Sequence, residues 1–177
     1  MKLFFSGLVA LAVLFVAGCT SVPKGVSPVQ NFELEKYLGT WYEIARFDHR
    51  FERGLNYVTA EYQLNEDGTV KVINRGKDRD TGEWEQAEGL AKLVGDEQTG
   101  HLKVSFFGPF YASYVIAALD DDYQYSLVTG PNRDYLWVLS RTPSLDNEVL
   151  NSLVSKAREL GYATDQLIYV QQKTNKD

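Results

Sequence analysis

Eight segments in which apolar and polar residues alternate constrain the fold of this chain more than any other feature. They are separated by short clusters of Gly, Asn, Asp and Pro, which favour turns. Connections this short join antiparallel neighbours and leave no room for crossover helices. The pattern predicts an all-β protein, an eight-stranded antiparallel up-and-down β-barrel. The predicted strands are Trp41–Asp48, Tyr57–Leu64, Thr69–Gly76, Gly82–Val94, His101–Phe107, Ala112–Leu119, Tyr123–Thr129 and Asp134–Arg141.

One amphipathic α-helix follows the predicted strands. Thr142 before Pro143 predicts an N-cap and a first helical residue, and Gly161 predicts the end of the helix. Because its apolar stripe has the width of a docking face, we expect the helix to pack on the outside of the barrel. Leu167–Val170 predicts a short ninth strand. The stripe consists of Leu145, Val149, Leu150, Leu153, Val154, Ala157 and Leu160.

Residues 1–18 have the layout of a lipoprotein signal peptide. Lys2 precedes an apolar run that ends at Val16, which is shorter than the ~20 residues of a comfortable membrane span. Small residues then lead to Cys19, the single cysteine of the 177-residue chain. This arrangement resembles a bacterial lipobox, so Cys19 is expected to become the acylated N-terminus. An ordinary export signal with a chance cysteine is the alternative.

Residues 19–30 are expected to form the acylated cysteine and a linker. The segment holds Pro23, Gly25 and Pro28 and has no apolar periodicity. Its eleven positions after Cys19 could extend ~36 Å. The barrel domain then occupies residues 31–177.

Composition excludes several partners and chemistries. The net charge of −6 opposes nucleic-acid binding, which needs a clustered basic surplus. The two histidines, His49 and His101, lie in distant segments, and neither has the spacing of a metal site. No nucleophile-elbow motif occurs and acylation consumes Cys19, so we expect no enzyme, no cofactor and no metal.

Ordered motifs resemble the lipocalin family. Residues 31–46 are similar to the signature around Gly-x-Trp, and residues 139–143 to the arginine motif of the last strand. Residues 119–123 match the middle motif loosely, with Asp121 where many members carry tyrosine. Two longer blocks, residues 47–55 and 103–111, resemble the outer-membrane lipoprotein lipocalins of bacteria. The resemblance covers essentially the whole chain.

The resemblance implies a structural role for Gly39, Trp41 and Arg141. In lipocalins the matching tryptophan closes one end of the barrel, and the matching arginine crosses over it. Such a pair stacks a cation on a ring face. We expect these residues to stabilise the fold and not to bind ligand.

The barrel interior is expected to bind a lipid. Strict alternation from Trp41 places Glu43, Ala45 and Phe47 on one face, and the resemblance implies the other lining positions. Glu43 should therefore be buried with a polar partner, such as a tyrosine, or have a raised pKa. A merely packed core is the alternative. The predicted lining is Ala45, Phe47, Val58, Ala60, Tyr62, Val72, Asn74, Ala87, Gly89, Val104, Phe106, Tyr114, Ile116, Tyr135 and Trp137.

The function this implies is that of a membrane-anchored carrier of fatty acids or lysophospholipids for storage, transport or repair of the cell envelope. It would be tethered through Cys19 at the outer membrane, on its periplasmic face. A lipid-modifying enzyme and a barrel scaffold for protein interaction are the alternatives, and a homodimer is left open. Asn74, Tyr62, Tyr114 and Tyr135 are candidate anchors for a polar headgroup.

Loop composition predicts which end faces the membrane. The loops of the open end carry Arg50, Arg53 and Phe110, which are expected to form a rim suited to anionic lipid. The loops of the opposite end carry acidic residues and no Lys or Arg. We expect the open end to face the membrane, with an extended linker letting the barrel turn over from an anchor near the closed end.

Overall fold

A computed structural model describes residues 20–173. The predicted signal peptide and Cys19 lie outside the described residues. Nine strands and two α-helices make up this part of the chain. In chain order they are α1 Leu34–Tyr37, β1 Gly39–Arg46, β2 Leu55–Leu64, β3 Val70–Asp78, β4 Trp84–Leu93, β5 His101–Phe107, β6 Phe110–Leu119, β7 Tyr125–Thr129, β8 Leu136–Ser140, α2 Asn147–Glu159 and β9 Ile168–Tyr169.

The first eight strands form a closed antiparallel barrel. Each strand pairs with its neighbour in sequence, and β1 pairs with both β8 and β2 to complete the ring. The predicted eight-stranded up-and-down barrel is confirmed. The short ninth strand is also confirmed, and it pairs with β1 at Ala45 and Arg46. No helix within residues 20–173 has the length and apolarity to span a bilayer.

A β-bulge in β1 overturns part of the predicted lining. The register of β1 against β8 shifts between Glu43 and Ala45. The extra residue reverses the alternation, so that Arg46 turns inward beside Trp137 while Ala45 faces outward. Ala45 and Phe47 pack in the outer cluster with Tyr162, and the prediction that these two line the interior is wrong.

Two apolar layers lie on the two sides of the barrel wall. The inner layer includes Trp41, Val72 and Ile116, and it fills the end of the barrel that α1 covers. The outer layer joins the faces of β6, β7 and β8 to Leu153 and Ala157 of α2. The expected external position of the helix is confirmed.

The helix α2 begins later than its sequence predicted. The carboxylate of Asp146 accepts hydrogen bonds from the backbone N–H groups of Glu148 (2.7 Å) and Val149 (3.4 Å). The charged carboxylate of Asp146 therefore caps the positive end of the helix dipole. Thr142 does not cap the helix, and its hydroxyl donates to Ser144 O. The end at Gly161 is confirmed, since its φ of +85° suits glycine. The four-residue helix α1 was not predicted.

Residues 21–30, called the N-terminal strap below, lie along the outer wall of the barrel. Val29 N–H donates to Ile116 O, and Gly100 N–H donates to Val29 O, both at 2.9 Å. Val26 is buried in the outer layer. The prediction of an extended linker is therefore wrong, because Val22, Val26 and Val29 give this segment an apolar face to bury.

Candidate ligand-binding site

The closed end is sealed by a cation stacked on an indole. Trp41 is fully buried, and its Nε1 donates to the carbonyl of Tyr37 at 2.8 Å. The guanidinium carbon of Arg141 lies 4.0 Å from the Trp41 ring centroid. Gly39 is needed here because its φ is +90°, a backbone conformation that residues with a side chain rarely adopt. The structure thus brings Gly39, Trp41 and Arg141 together at the closed end, where a structural role is expected of them.

Three tyrosine hydroxyls meet at the floor of the interior. Tyr62 Oη donates to Tyr114 Oη at 2.9 Å, and the hydroxyls of Tyr114 and Tyr37 lie 2.8 Å apart. Ser126 Oγ lies 3.3 Å from Tyr37 Oη and extends the chain of hydroxyls. Burial raises the pKa of Tyr37 to about 12 and raises those of Tyr62 and Tyr114 well above 10.0. Tyr62 and Tyr114 are hydrogen-bonded to each other here. They therefore form the floor of the interior and are not positioned to anchor the polar headgroup of a ligand.

Above this floor, small residues line one wall of the barrel. Ala60, Asn74 and Ala87 lie directly opposite one another on β2, β3 and β4. Gly89 follows in the next row, where a Cβ would come within 2.9 Å of the Phe106 ring. The aromatic ring therefore fills space that only glycine leaves open. Asn74 Oδ1 is buried and has no hydrogen-bond partner among residues 20–173.

The predicted lining divides into a filled half and an accessible half. Tyr62, Val72 and Ile116 near the floor are buried, whereas residues nearer the open end keep part of their surface accessible. Val58 is an exception, because it packs with Leu55 and Val170 against the wall. The buried members are Val58, Tyr62, Val72 and Ile116; the half-buried ones are Ala60, Asn74, Gly89, Val104, Phe106, Tyr114, Tyr135 and Trp137, and Ala87 is exposed.

An ionic cluster lies under the open end, where sequence reasoning placed only Glu43. Arg46 Nε lies 2.9 Å from Glu43 Oε1 and 3.7 Å from Glu52 Oε2. Trp137 Nε1 donates to Glu52 Oε2 at 3.1 Å, and His49 Nε2 lies 2.9 Å from the same oxygen. Arg46 Nη2 donates to Glu52 O at 2.6 Å, which ties the β1–β2 loop down over the barrel. Glu43 is 3% exposed, as expected, but its partner is an arginine and not a tyrosine.

The two carboxyl groups of this cluster have opposite pKa shifts. Burial, reinforced by the charge of Glu52, raises the pKa of Glu43 well above 4.5 in spite of Arg46. Burial would also raise the pKa of Glu52, but His49, Trp137 and Arg46 together hold it below 4.5. The surroundings therefore favour the protonated form of Glu43 and the ionised form of Glu52. No group of three His, Cys, Asp or Glu side chains in residues 20–173 is arranged to hold a metal ion.

Exposed aromatic side chains surround the open end. Phe110 is 73% exposed and Phe107 71%, and Phe51 and Trp84 are also exposed. The predicted rim residues Arg50, Arg53 and Phe110 also lie at the open end. Arg50 stacks on Phe51 with its guanidinium carbon 4.7 Å from the ring centroid, and Arg53 pairs with Asp48 at 2.9 Å.

A shallow groove of about 400 Å³ lies at the other end of the barrel, outside the wall. Asn31, Glu33, Lys36 and Tyr123 line it together with the acidic β6–β7 turn. It lies far from the ionic cluster and the small-residue wall. The groove was not predicted, because its sides come from segments distant in sequence.

Comparisons with known proteins agree with this fold. The profile of the Lipocalin-like domain family matches residues 32–172. Outer membrane lipoprotein Blc of Vibrio cholerae is 51% identical over 164 residues, covering 92% of this chain and 96% of that protein. Outer membrane lipoprotein Blc of Escherichia coli is 52% identical over 165 residues, covering 92% and 93%. Temperature-induced lipocalin-1 of Arabidopsis thaliana is 37% identical over 153 residues, covering 81% of each chain.

Solved structures share the fold. Insecticyanin from the tobacco hornworm Manduca sexta superimposes with a TM-score of 0.69 at 20% identity, covering 88% of each chain. The cockroach allergen Per a 4 gives a TM-score of 0.67 at 20% identity, covering 87% of this chain and 96% of that one.

Proposed function

The chain belongs to the lipocalin family, and on that premise we propose that it carries a single-chain lipid inside its barrel. The ligand class is fatty acids or lysophospholipids, bound for storage, transport or repair of the cell envelope. Binding and release without chemical conversion is the proposed activity. The two bacterial relatives named above carry the name outer membrane lipoprotein, which supports a tether through acylated Cys19 on the periplasmic face of the outer membrane.

The half-filled interior carries this proposal. Ala60, Asn74 and Ala87 form a row of small residues above a floor closed by tyrosines. Val104 and Phe106 on the neighbouring strand β5 remain partly accessible. Interiors that only stabilise a fold pack to crystal-like density, whereas an accessible apolar wall suits a bound chain.

The size of the barrel supports one acyl chain rather than two. An eight-stranded barrel has room for one small ligand once side chains are counted. Here the tyrosine floor and Trp41 already occupy the closed half. An acyl chain would lie along the small-residue wall, and its headgroup would lie near the ionic cluster and the rim.

Competition with a fluorescent fatty acid tests this proposal. Lysophospholipid should displace the probe more effectively than diacyl phospholipid. Asn74→Trp should weaken probe binding by filling the interior, whereas Arg75→Trp, one residue along β3 on the outer face, should leave it unchanged. Equal or tighter binding of the diacyl lipid, or equal effects of the two substitutions, would contradict the proposal.

A further inference from the structure

The N-terminal strap begins beside the open end of the barrel. Ser21 Oγ donates to the carbonyl of Pro131 at 3.4 Å, and Pro131 lies in the β7–β8 loop. From there the strap runs toward the closed end, where Gln30 pairs with Thr99. The first described residues are therefore near the loops that carry the exposed aromatics.

Arg133 fixes the strap to the barrel and to α2. Its Nη2 donates to Lys24 O at 2.6 Å, and its Nε donates to Leu160 O at 3.0 Å. Its guanidinium carbon also lies 5.7 Å from the ring centroid of Tyr162. With the hydrogen bonds of Val29, these contacts make the strap a part of the wall instead of a free tether.

Chain length then limits where an anchor on Cys19 can lie. Cys19 precedes Ser21 by two residues, which span at most ~7 Å. The barrel is far longer, because the ten residues of β6 extend ~33 Å between its ends. An anchor on Cys19 is thus within reach of the open end and out of reach of the closed end.

The two ends of the barrel differ in charge and in exposed apolar surface, and both differences favour contact of the open end with a membrane. The exposed aromatics Phe51, Trp84, Phe107 and Phe110 accompany Arg50 and Arg53 at the open end. Such a combination suits the surface of an anionic bilayer. The closed-end turns carry no Lys or Arg, and their acidic residues are repelled by anionic lipid; these are Glu66, Asp67, Asp96, Glu97, Asp120, Asp121 and Asp122.

We propose that the docked strap holds the open end against the same bilayer that carries the Cys19 anchor. The lipid then passes directly between that bilayer and the barrel interior. This inference rests on the proposed lipid tether, and it replaces the expectation that a long linker lets the barrel turn over. The orientation of the barrel on the bilayer then follows from the hydrogen bonds that hold the strap beside the open end.

Depth-dependent quenching of tryptophan tests the orientation. The chain from Cys19 is coupled through its single thiol to a maleimide lipid, in vesicles of phosphatidylethanolamine and phosphatidylglycerol with brominated acyl chains. We expect the brominated chains to quench the fluorescence of Trp84. The contribution of Trp84 is obtained by subtracting the emission of the Trp84→Phe variant from that of the original chain. In the Trp84→Phe background, Leu64→Trp places a probe at an exposed site of the closed end and should keep its emission. Quenching of the Leu64→Trp probe, or full emission from Trp84, would overturn the proposal.

A longer tether distinguishes the strap from the aromatic rim as the cause of the barrel's orientation. Ten Gly and Ser residues inserted between Cys19 and Thr20 leave the strap residues unchanged and add ~17 Å of flexible reach. We expect reduced quenching of Trp84 in this variant. Unchanged quenching would mean that the rim alone orients the barrel, and it would overturn the role of the strap. Displacement of a fluorescent fatty acid in detergent is measured in parallel, so that failure of lipid carriage is distinguished from failure of orientation.

Discussion

Arg141 and Trp41 form the closure of the barrel, with the guanidinium carbon 4.0 Å from the indole centroid. The same guanidinium donates to three backbone carbonyls, Lys36 O at 2.7 Å, Thr40 O at 3.0 Å and Tyr123 O at 3.2 Å. One side chain thereby joins α1, β1 and the β6–β7 turn. A planar group with five donors meets these demands, and an ammonium does not.

Arg141→Lys should lower the free energy of unfolding by about 2 kcal/mol, because a lysine loses the stacking and most of the carbonyl contacts. Urea denaturation measures this loss. Arg75→Lys is the matched control, since Arg75 is exposed and lies 5.9 Å from the Trp84 ring. Equal losses for the two substitutions would argue against the closure.

Tyr114→Phe should destabilise the protein more than Tyr62→Phe does. The hydroxyl of Tyr114 contacts those of both Tyr37 and Tyr62, so its removal leaves two buried hydroxyls short of a partner. The expected difference is ~1 kcal/mol. Thermal unfolding of the two variants checks the order, and a larger loss for Tyr62→Phe would refute the hydroxyl chain.

Glu43 should make stability fall as the pH rises above 4.5. Its folded pKa is raised by burial and by Glu52 above the unfolded value of 4.5, so the folded state binds its proton more tightly. The stabilisation is complete below pH 4.5 and is lost as the pH rises through the folded pKa. Glu52 has the opposite shift, and its contribution is lost as the pH falls through its folded pKa.

Glu43→Gln should remove that fall, because an amide stays neutral at every pH. The measurement is the free energy of unfolding at a series of pH values above 4.5. Glu85→Gln, at an exposed site of β4, should keep the pH dependence of the original chain. If Glu43→Gln retains the same dependence, another group is responsible for it.

Phe47→Ala and Phe106→Ala should have different effects. Phe47 packs outside the wall near Tyr162, and its truncation should cost ~3 kcal/mol of stability with little effect on lipid affinity. Phe106 lies inside against Gly89, and its truncation should change affinity for a fluorescent fatty acid. An affinity loss confined to Phe47→Ala would restore the lining that strict alternation predicts.

Alternation and turn residues were enough to predict the barrel, because each strand buries one face and each turn is short. Alternation failed at β1, where a single extra residue between Glu43 and Ala45 turns Arg46 inward. No local signal marks that bulge. The ionic cluster could not be predicted either. Arg46 joins it only because of the bulge, and Glu52 and His49 lie on a loop whose position alternation does not predict.

The strap illustrates a second limit of sequence reasoning. Pro23, Gly25 and Pro28 exclude regular structure but do not exclude docking. Val26 packs in the outer layer and Val29 against the inner layer, and both layers exist only once the barrel has formed. A segment without periodicity is therefore not by itself a free tether.

Mass spectrometry of co-purified lipid tests the central claim most directly. A chain with Cys19→Ser behind an ordinary export signal would be purified from the periplasm without detergent, beside its Asn74→Trp counterpart. The account predicts about one single-chain lipid for each protein molecule and much less in the Asn74→Trp variant. A protein with no lipid, or with diacyl lipid in both variants alike, would contradict it.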